Sequence, residues 1–336
     1  MISPMRSALQ MCCAALACLP LVVGALAQDP GVATLKFGTA YPGPESMPVY
    51  VARDKGYFRD EHLSVDLTYL STGDKIAYAL LSGSIDIARY TPDWFIRAAA
   101  KGGSNAKIVL GSANILTFSL IVPNSVKDYA DLKGKRVGVS TIAAADTSVV
   151  IKMLGAHGLN RGDYSLIQAG SSPERAAALR AGSLAATLLT PPADQRLIDD
   201  GGFRRLDIST HVIPHYAWGA ETVRGDWARA NKPKLLAYMR AWIRADRFLH
   251  DPSNKEAVIA LMARESKIDD RYARTTYDIY FGPNAAAPAK DGKLDTLDYQ
   301  VMIADMVERG QLDPPPPSSD KFLDTSYWQE AERTLR

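Results

Sequence analysis

Two runs of alternating strand and helix patterns, one before and one after about residue 130, constrain this chain more than anything else in it. In the first run Leu35–Thr39, Ser64–Tyr69, Ile85–Ala88, Lys107–Leu110 and Ser119–Val122 read as strands, and Val49–Tyr57, Asp74–Leu81 and Pro92–Ala100 read as helices. In the second, Arg136–Val139, Tyr164–Gln168, Ala186–Leu189 and Phe203–Leu206 are strands, with helices over Ala145–His157, Pro173–Ala181 and Pro192–Asp199. Strands that alternate with helices form parallel sheets with crossover helices on their faces. The expected class is therefore α/β, in two compact units, which is also what 336 residues suggest. After Trp218 the pattern turns helical, with helices predicted over Lys232–Leu249, Lys255–Arg264, Asp270–Tyr280 and Leu294–Arg309 and a stiff spacer at Pro314–Pro317.

The first residues bear on compartment. Arg6 is the only charge before Asp29, an apolar run follows from Ala14 to Gly24, and Ala25-Leu26-Ala27 offers a small-x-small cleavage site. This is the pattern of a secretory signal peptide over residues 1–27, cleaved after about Ala27, and it predicts a periplasmic protein. The run is shorter than the roughly 20 apolar residues of a spanning helix. Cys12, Cys13 and Cys18 all lie within it, so the chain from Gln28 onward has no thiol for a disulfide, a nucleophile or a metal. It must be held together by burial, for which 47% hydrophobic content suffices. Thirty-nine basic residues against 37 acidic ones, without long runs of one sign, argue against a nucleic-acid partner.

Three places share one design: Thr91-Pro92, Ser172-Pro173 and Thr190-Pro191 each follow a strand and open a helix, the hydroxyl residue fitting the N-cap and the proline the first helical position. Ser71-Thr72-Gly73 and Ser140-Thr141 are similar without the proline. Such helix starts present unpaired N–H groups and gather at the carboxyl ends of the strands, where open α/β sheets bind ligands. Together they suit an anion. Each of them singly is also what an ordinary helix cap looks like. Tyr41, Tyr90, Trp94, Phe118, Tyr216 and Trp218 stand close to these turns and offer walls for a flat ligand, although Trp94 and Phe118 fit a hydrophobic core equally well. Arg89, at the end of the Ile85–Ala88 strand, is placed either to grip a carboxylate or sulfonate bidentately or to point to solvent.

Catalytic and metal motifs are absent from the sequence. His211 and His215 have i, i+4 spacing, but Pro214 lies between them and there is no HExxH; neither G-x-S-x-G nor a P-loop occurs. No cofactor, no metal and no enzymatic activity are expected.

Four stretches carry a family resemblance: Met47–Phe58 (MPVYVARDKGYF), Leu80–Ala88 (LLSGSIDIA), Asp131–Val139 (DLKGKRVGV) and Ala177–Ala186 (AALRAGSLAA). In this order they resemble the periplasmic solute-binding proteins of ABC transporters in the NMT1/THI5-like, or SsuA-like, set, whose ligands include nitrate, sulfonates, taurine and thiamine precursors. The resemblance implies a type II periplasmic-binding fold, with two α/β lobes joined by a two-strand hinge and a helical C-terminal extension on lobe one. Lobe one would hold 32–120 and 217–336, lobe two 121–216, with crossovers near Phe118–Val122 and Pro214–Gly219. The loops that meet ligand in such proteins correspond here to Thr39, Tyr41, Met47, Arg89, Tyr90, Thr91, Asn114, Phe118, Ser140, Thr141, Ser171, Thr190 and Trp218. The implied function is that of a monomeric binding component that delivers a small molecule to an inner-membrane permease. Enzymatic relatives use cysteines that this chain lacks after Cys18. Arg89, where a small or acidic residue is usual, turns the expected ligand from nitrate or taurine toward an organic acid, with an aromatic carboxylate or sulfonate as one form. Two competing readings are a ligand-sensing partner of a membrane receptor and a secreted hydrolase or decarboxylase, the latter needing a base such as Glu45 or Asp93 in the cleft.

Overall fold

The computed structural model describes residues 31–335, apart from 143, 284 and 286–289; the predicted leader lies outside the described residues. The first sheet is built from β1 (Ala33–Thr39), β2 (Leu63–Tyr69), β3 (Ile87–Tyr90) and β4 (Ala106–Ala113), linked by α1 (Met47–Asp54), α2 (Tyr57–Asp60), α3 (Gly73–Ser82) and α4 (Asp93–Ala100). The chain then enters a second sheet through β5 (Ser119–Pro123), followed by β6 (Arg136–Val139), α5 (Ala145–Ala156), β7 (Ser165–Gln168), α6 (Ser172–Arg180), β8 (Ala186–Leu189), α7 (Ala193–Asp199) and β9 (Phe203–Ile208). It returns to the first sheet as β10 (Gly219–Arg224) and ends in α8 (Gly225–Ala230), α9 (Lys232–His250), α10 (Lys255–Ser266), α11 (Asp270–Tyr280), α12 (Thr296–Glu308) and α13 (Ser326–Arg333).

The strand orders are β2-β1-β3-β10-β4 and β7-β6-β8-β5-β9. They are the same pattern twice. In each, three parallel strands with helical crossovers are followed by one antiparallel strand that has just arrived from the other sheet. β10 pairs with β3 and β4, and β5 with β8 and β9. The chain therefore crosses between the sheets twice, over 114–118 and 209–218, and the two segments bond to each other: Tyr216 N–H donates to the Asn114 carbonyl at 3.2 Å, Ser209 N–H to that of Phe118 at 2.9 Å. A pair of hydrogen-bonded linkers permits rotation of the sheets about their common line and resists other motions.

The sequence reading missed β10. Its residues, Gly-Ala-Glu-Thr-Val-Arg, carry a glutamate in mid-strand, and the strand forms only because β3 and β4 are waiting on either side of it. Burial is strongest under α9, where Tyr238 and Trp242 are almost fully enclosed and Phe37 and Phe58 stack on Tyr238 at ring separations of 6.2 and 5.6 Å. Each buried apolar side chain of such a core contributes about 1.5–3 kcal/mol. A second core joins α5 and α12 to β6 and β8 and runs on to Ile108 and Phe322 beside the first sheet. No described helix is long and apolar enough to cross a membrane.

Candidate functional site

The carboxyl ends of β1, β3 and β4 converge on a buried polar cluster. Arg89 leaves β3 with its side chain only 6% exposed, and Glu45, on the turn before α1, is 4% exposed; Arg89 Nη1 lies 3.9 Å from Glu45 Oε2. That separation is an ion pair and too long for a hydrogen bond. Arg89 Nε donates to Ser112 Oγ at the end of β4, at 3.3 Å. Tyr280, from α11, places its hydroxyl 3.4 Å from Glu45 Oε1 and 2.8 Å from Thr117 Oγ1 on the first crossover. Among the described residues Glu45 Oε2 has no hydrogen-bond partner. Gly219, first residue of β10, makes room for the guanidinium: a Cβ there would come within 2.7 Å of Arg89 Nη2 and 2.8 Å of Ser112 Oγ.

One residue pair deeper, Glu221 on β10 is the cross-strand partner of Arg89. It accepts from the Tyr238 hydroxyl at 2.6 Å, and burial pushes its carboxyl up to about 7. Tyr41 is about half-exposed, and the nearby Glu45 carboxylate, followed by desolvation, raises its phenol. Tyr90 is raised by burial first and by nearby carboxylates, Asp93 foremost. Gly73 lies against it; a Cβ would meet Tyr90 and Trp94 at 2.5 Å.

The second lobe presents a matching pair. Arg175 on α6 and Asp146 on α5 are both buried, with Arg175 Nη1 3.8 Å from Asp146 Oδ2. Arg175 also donates to the carbonyls of Gly170 and Leu188. Asp146 accepts from Ser140 N–H at 2.9 Å and from its hydroxyl at 2.6 Å. Each lobe thus holds one buried arginine within 4 Å of one buried carboxylate.

Residues 43–193 match the family described as NMT1/THI5 like. This segment is NMT1/THI5-like. It runs from the turn bearing Glu45 to the start of α7, and so spans both arginine–carboxylate pairs. The chain is 23% identical over 278 residues to the putative binding protein YtlA of Bacillus subtilis, covering 79% of this chain and 80% of that one. The putative periplasmic sulfonate-binding protein SsuA of Methylobacillus flagellatus superposes with a TM-score of 0.72 at 18% identity, over 91% of this chain and 95% of that one. The desulfurization enzyme DSZB superposes at 0.70 with 15% identity, over 90% and 99%. These structures share the fold, the two-lobed α/β architecture of periplasmic binding proteins, as the resemblance implied.

Within this NMT1/THI5-like frame the sequence-predicted residues separate into three groups. Arg89, Tyr41 and Tyr90 lie near one another, and Arg89 is buried; Asn114 Oδ1 is buried without a partner among the described residues. Thr39, Met47 and Phe118 are enclosed. Thr39 lies 3.5 Å from Ser46 Oγ, Met47 is fully buried in the core under α9, and Phe118 packs edge-on against Trp218 at 5.1 Å. The remainder are helix-start residues, and their capping roles differ from the prediction. Pro92, one residue beyond Thr91, and Pro192, two residues beyond Thr190, cap α4 and α7. Ser171, and not Ser172, caps α6, because Glu174 three residues on completes a reciprocal capping box with it. Ser140 gives its hydroxyl to Asp146, so its donor is spent within the chain. Thr141 is exposed, its carbonyl accepting from Thr147. An anion cradle of several open helix starts is not what these residues build. Ser112, Glu221, Tyr280, Asp146 and Arg175 were passed over in the sequence. For Arg175 and Asp146 the signal was a charge of each sign in the first turns of two helices at the strand ends.

Proposed function

We propose that this chain is the extracytoplasmic solute-binding component of an ABC importer, holding one small organic anion between two lobes that close on it. In this reading the lobes are 32–120 with 217–336 and 121–216, and the paired linkers over 114–118 and 209–218 are the hinge. The observation that carries the reading is the buried Arg89 at the end of β3, paired with Glu45 and near Tyr41 and Tyr90, close to the segment by which the chain leaves the first sheet. Crevices at such switch points are where open α/β folds bind ligands.

The Arg89–Glu45 separation refines the ligand. A carboxylate or sulfonate oxygen would take the guanidinium edge, and the unpartnered Glu45 Oε2 would take a hydrogen-bond donor next to it. The ligand is then an acid with an adjacent amino, amide or hydroxyl group, and the phenol rings suit an aromatic body. Closure follows from contacts made better in the closed state. The protein works without catalysis: the chain after Cys18 has no thiol nucleophile, and the similar YtlA and SsuA are described as putative binding proteins. It acts in the periplasm, as a monomer, after removal of the leader.

The test is native mass spectrometry of whatever co-purifies, followed by calorimetric titration with carboxylates and sulfonates with and without a neighbouring donor. One site per chain, a preference for donor-bearing acids, and affinity lowered about 100-fold or more by Arg89→Gln are expected, the cost of a lost charge-assisted contact. Equal affinity of wild type and Arg89→Gln would overturn the site.

A further inference from the structure

Away from the Arg89 cluster, and besides the core and the polar contacts that α12 makes with α5, the second lobe touches the first at an exposed place on α7 and α11. Arg271, in the first turn of α11, puts Nη2 2.6 Å from Asp199 Oδ2 in the last turn of α7. One residue on, the Tyr272 ring is covered by Arg196 of α7, whose guanidinium carbon stands 5.0 Å from the ring centroid. Arg271 lies 4.8 Å from the same ring and donates to the Tyr272 hydroxyl at 2.9 Å. Tyr272 is only 8% exposed, yet it belongs to none of the hydrophobic clusters of either lobe. Its cover comes in part from the neighbouring lobe's arginine.

We propose that Asp199–Arg271 and Arg196–Tyr272 form a latch that holds the two lobes together independently of ligand. The inference rests on the clamp reading given above. It differs from that reading in assigning part of the closing free energy to residues outside the recess. The geometry favours such a role. α7 moves with the second sheet, between β8 and β9, whereas α11 is packed into the first lobe's core through Ala273, Tyr277 and Tyr280. Opening about the linkers separates α7 from α11 and leaves each helix in its own lobe.

α11 also ties the latch to the site. Tyr280, which touches Glu45 and Thr117, lies eight residues beyond Tyr272, about 12 Å along the same helix. Contact at one end of α11 and the recess at the other are therefore fixed relative to each other. An exposed ion pair alone shifts an equilibrium little, and a cation over a ring adds a comparable amount. Together they change the closed-to-open ratio by about fivefold.

The experiment uses the full mature chain, which has no cysteine after Cys18 to interfere with labelling. Spin labels at Tyr78→Cys on lobe one and Asn160→Cys on lobe two, both exposed, report the inter-lobe distance without added ligand. The expected result is a longer-distance population about fivefold larger in Asp199→Arg and in Arg271→Asp than in the parent, with the double charge exchange returning it toward the parent. Tyr272→Leu, which keeps the ion pair, is expected to give an intermediate shift. Distance distributions unchanged by either single reversal, or a double exchange no more closed than the singles, overturn the latch. The clamp reading is judged apart from this, by whether the ligand found in the titrations shortens the distance in the parent.

Discussion

Arg89 at the end of β3 and Glu45 on the turn after β1, both almost wholly buried, stand 3.9 Å apart with no direct hydrogen bond between them. Burying two charges in this way is costly unless further partners complete their shells. Ser112 and Tyr280 supply part of that completion. Removing one member strands the other. Arg89→Met is expected to lower stability by about 3–5 kcal/mol, and Arg89→Met with Glu45→Met to recover most of it. Urea denaturation of the four proteins of this cycle checks the coupling.

Gly219→Ala tests the same cluster from the backbone side. The added methyl would sit 2.7 Å from Arg89 Nη2, so the guanidinium must move. The expected outcome is a loss of about 1–3 kcal/mol from overpacking, together with weaker ligand binding. Thermal unfolding with and without ligand separates the two effects.

Glu221 gives a pH dependence whose sign can be worked out. Its folded-state carboxyl is raised to about 7 by burial, so the unfolded chain ionises first as pH rises. The contribution to stability is whole below the unfolded value and is lost progressively up to about 7, a span worth about 3 kcal/mol. Glu221→Gln keeps an acceptor for Tyr238 and removes the titration. The drop in stability between acidic and mildly alkaline buffer is expected to be smaller in the variant, as measured by urea midpoints across pH.

Asp305 on α12 gathers partners from both sides of the hinge: Ser148 donates to it, Tyr216 Oη lies at 3.0 Å, Lys152 Nζ at 3.1 Å and Arg309 Nε at 2.8 Å. Asp305→Ala leaves Arg309 and Tyr216 without this acceptor. A loss of about 3 kcal/mol or more is expected. Hydrogen exchange is expected to localise that loss to α5 and α12.

Ser171 separates capping from binding. Its hydroxyl and N–H both meet Glu174 Oε2, at 2.6 Å each. Ser171→Ala is expected to cost about 1 kcal/mol of stability and to leave ligand affinity unchanged. A large affinity loss in calorimetry would return Ser171 to the binding set.

The sequence by itself determined the class of fold. Period-two and period-3.6 patterns depend on neighbours a few residues away, so the strands β1–β9, the helices between them and the helical tail from Lys232 were legible without tertiary information. So was the candidacy of Arg89, a charge at a strand's carboxyl end. Tertiary structure decided what depended on distant partners. β10 is a strand because β3 and β4 flank it, and its buried Glu221 is tolerated because Tyr238 reaches it from α9. Whether a hydroxyl at a helix start is free for a ligand also lay beyond the local pattern, since Ser140 is claimed by Asp146, six residues on and turned back by the fold. Glu45 and Tyr280 stand 235 positions apart, and only the packing of α11 against the first lobe brings them to the same recess. Local free energies select elements; long-range contacts select which of their polar atoms are left for other molecules.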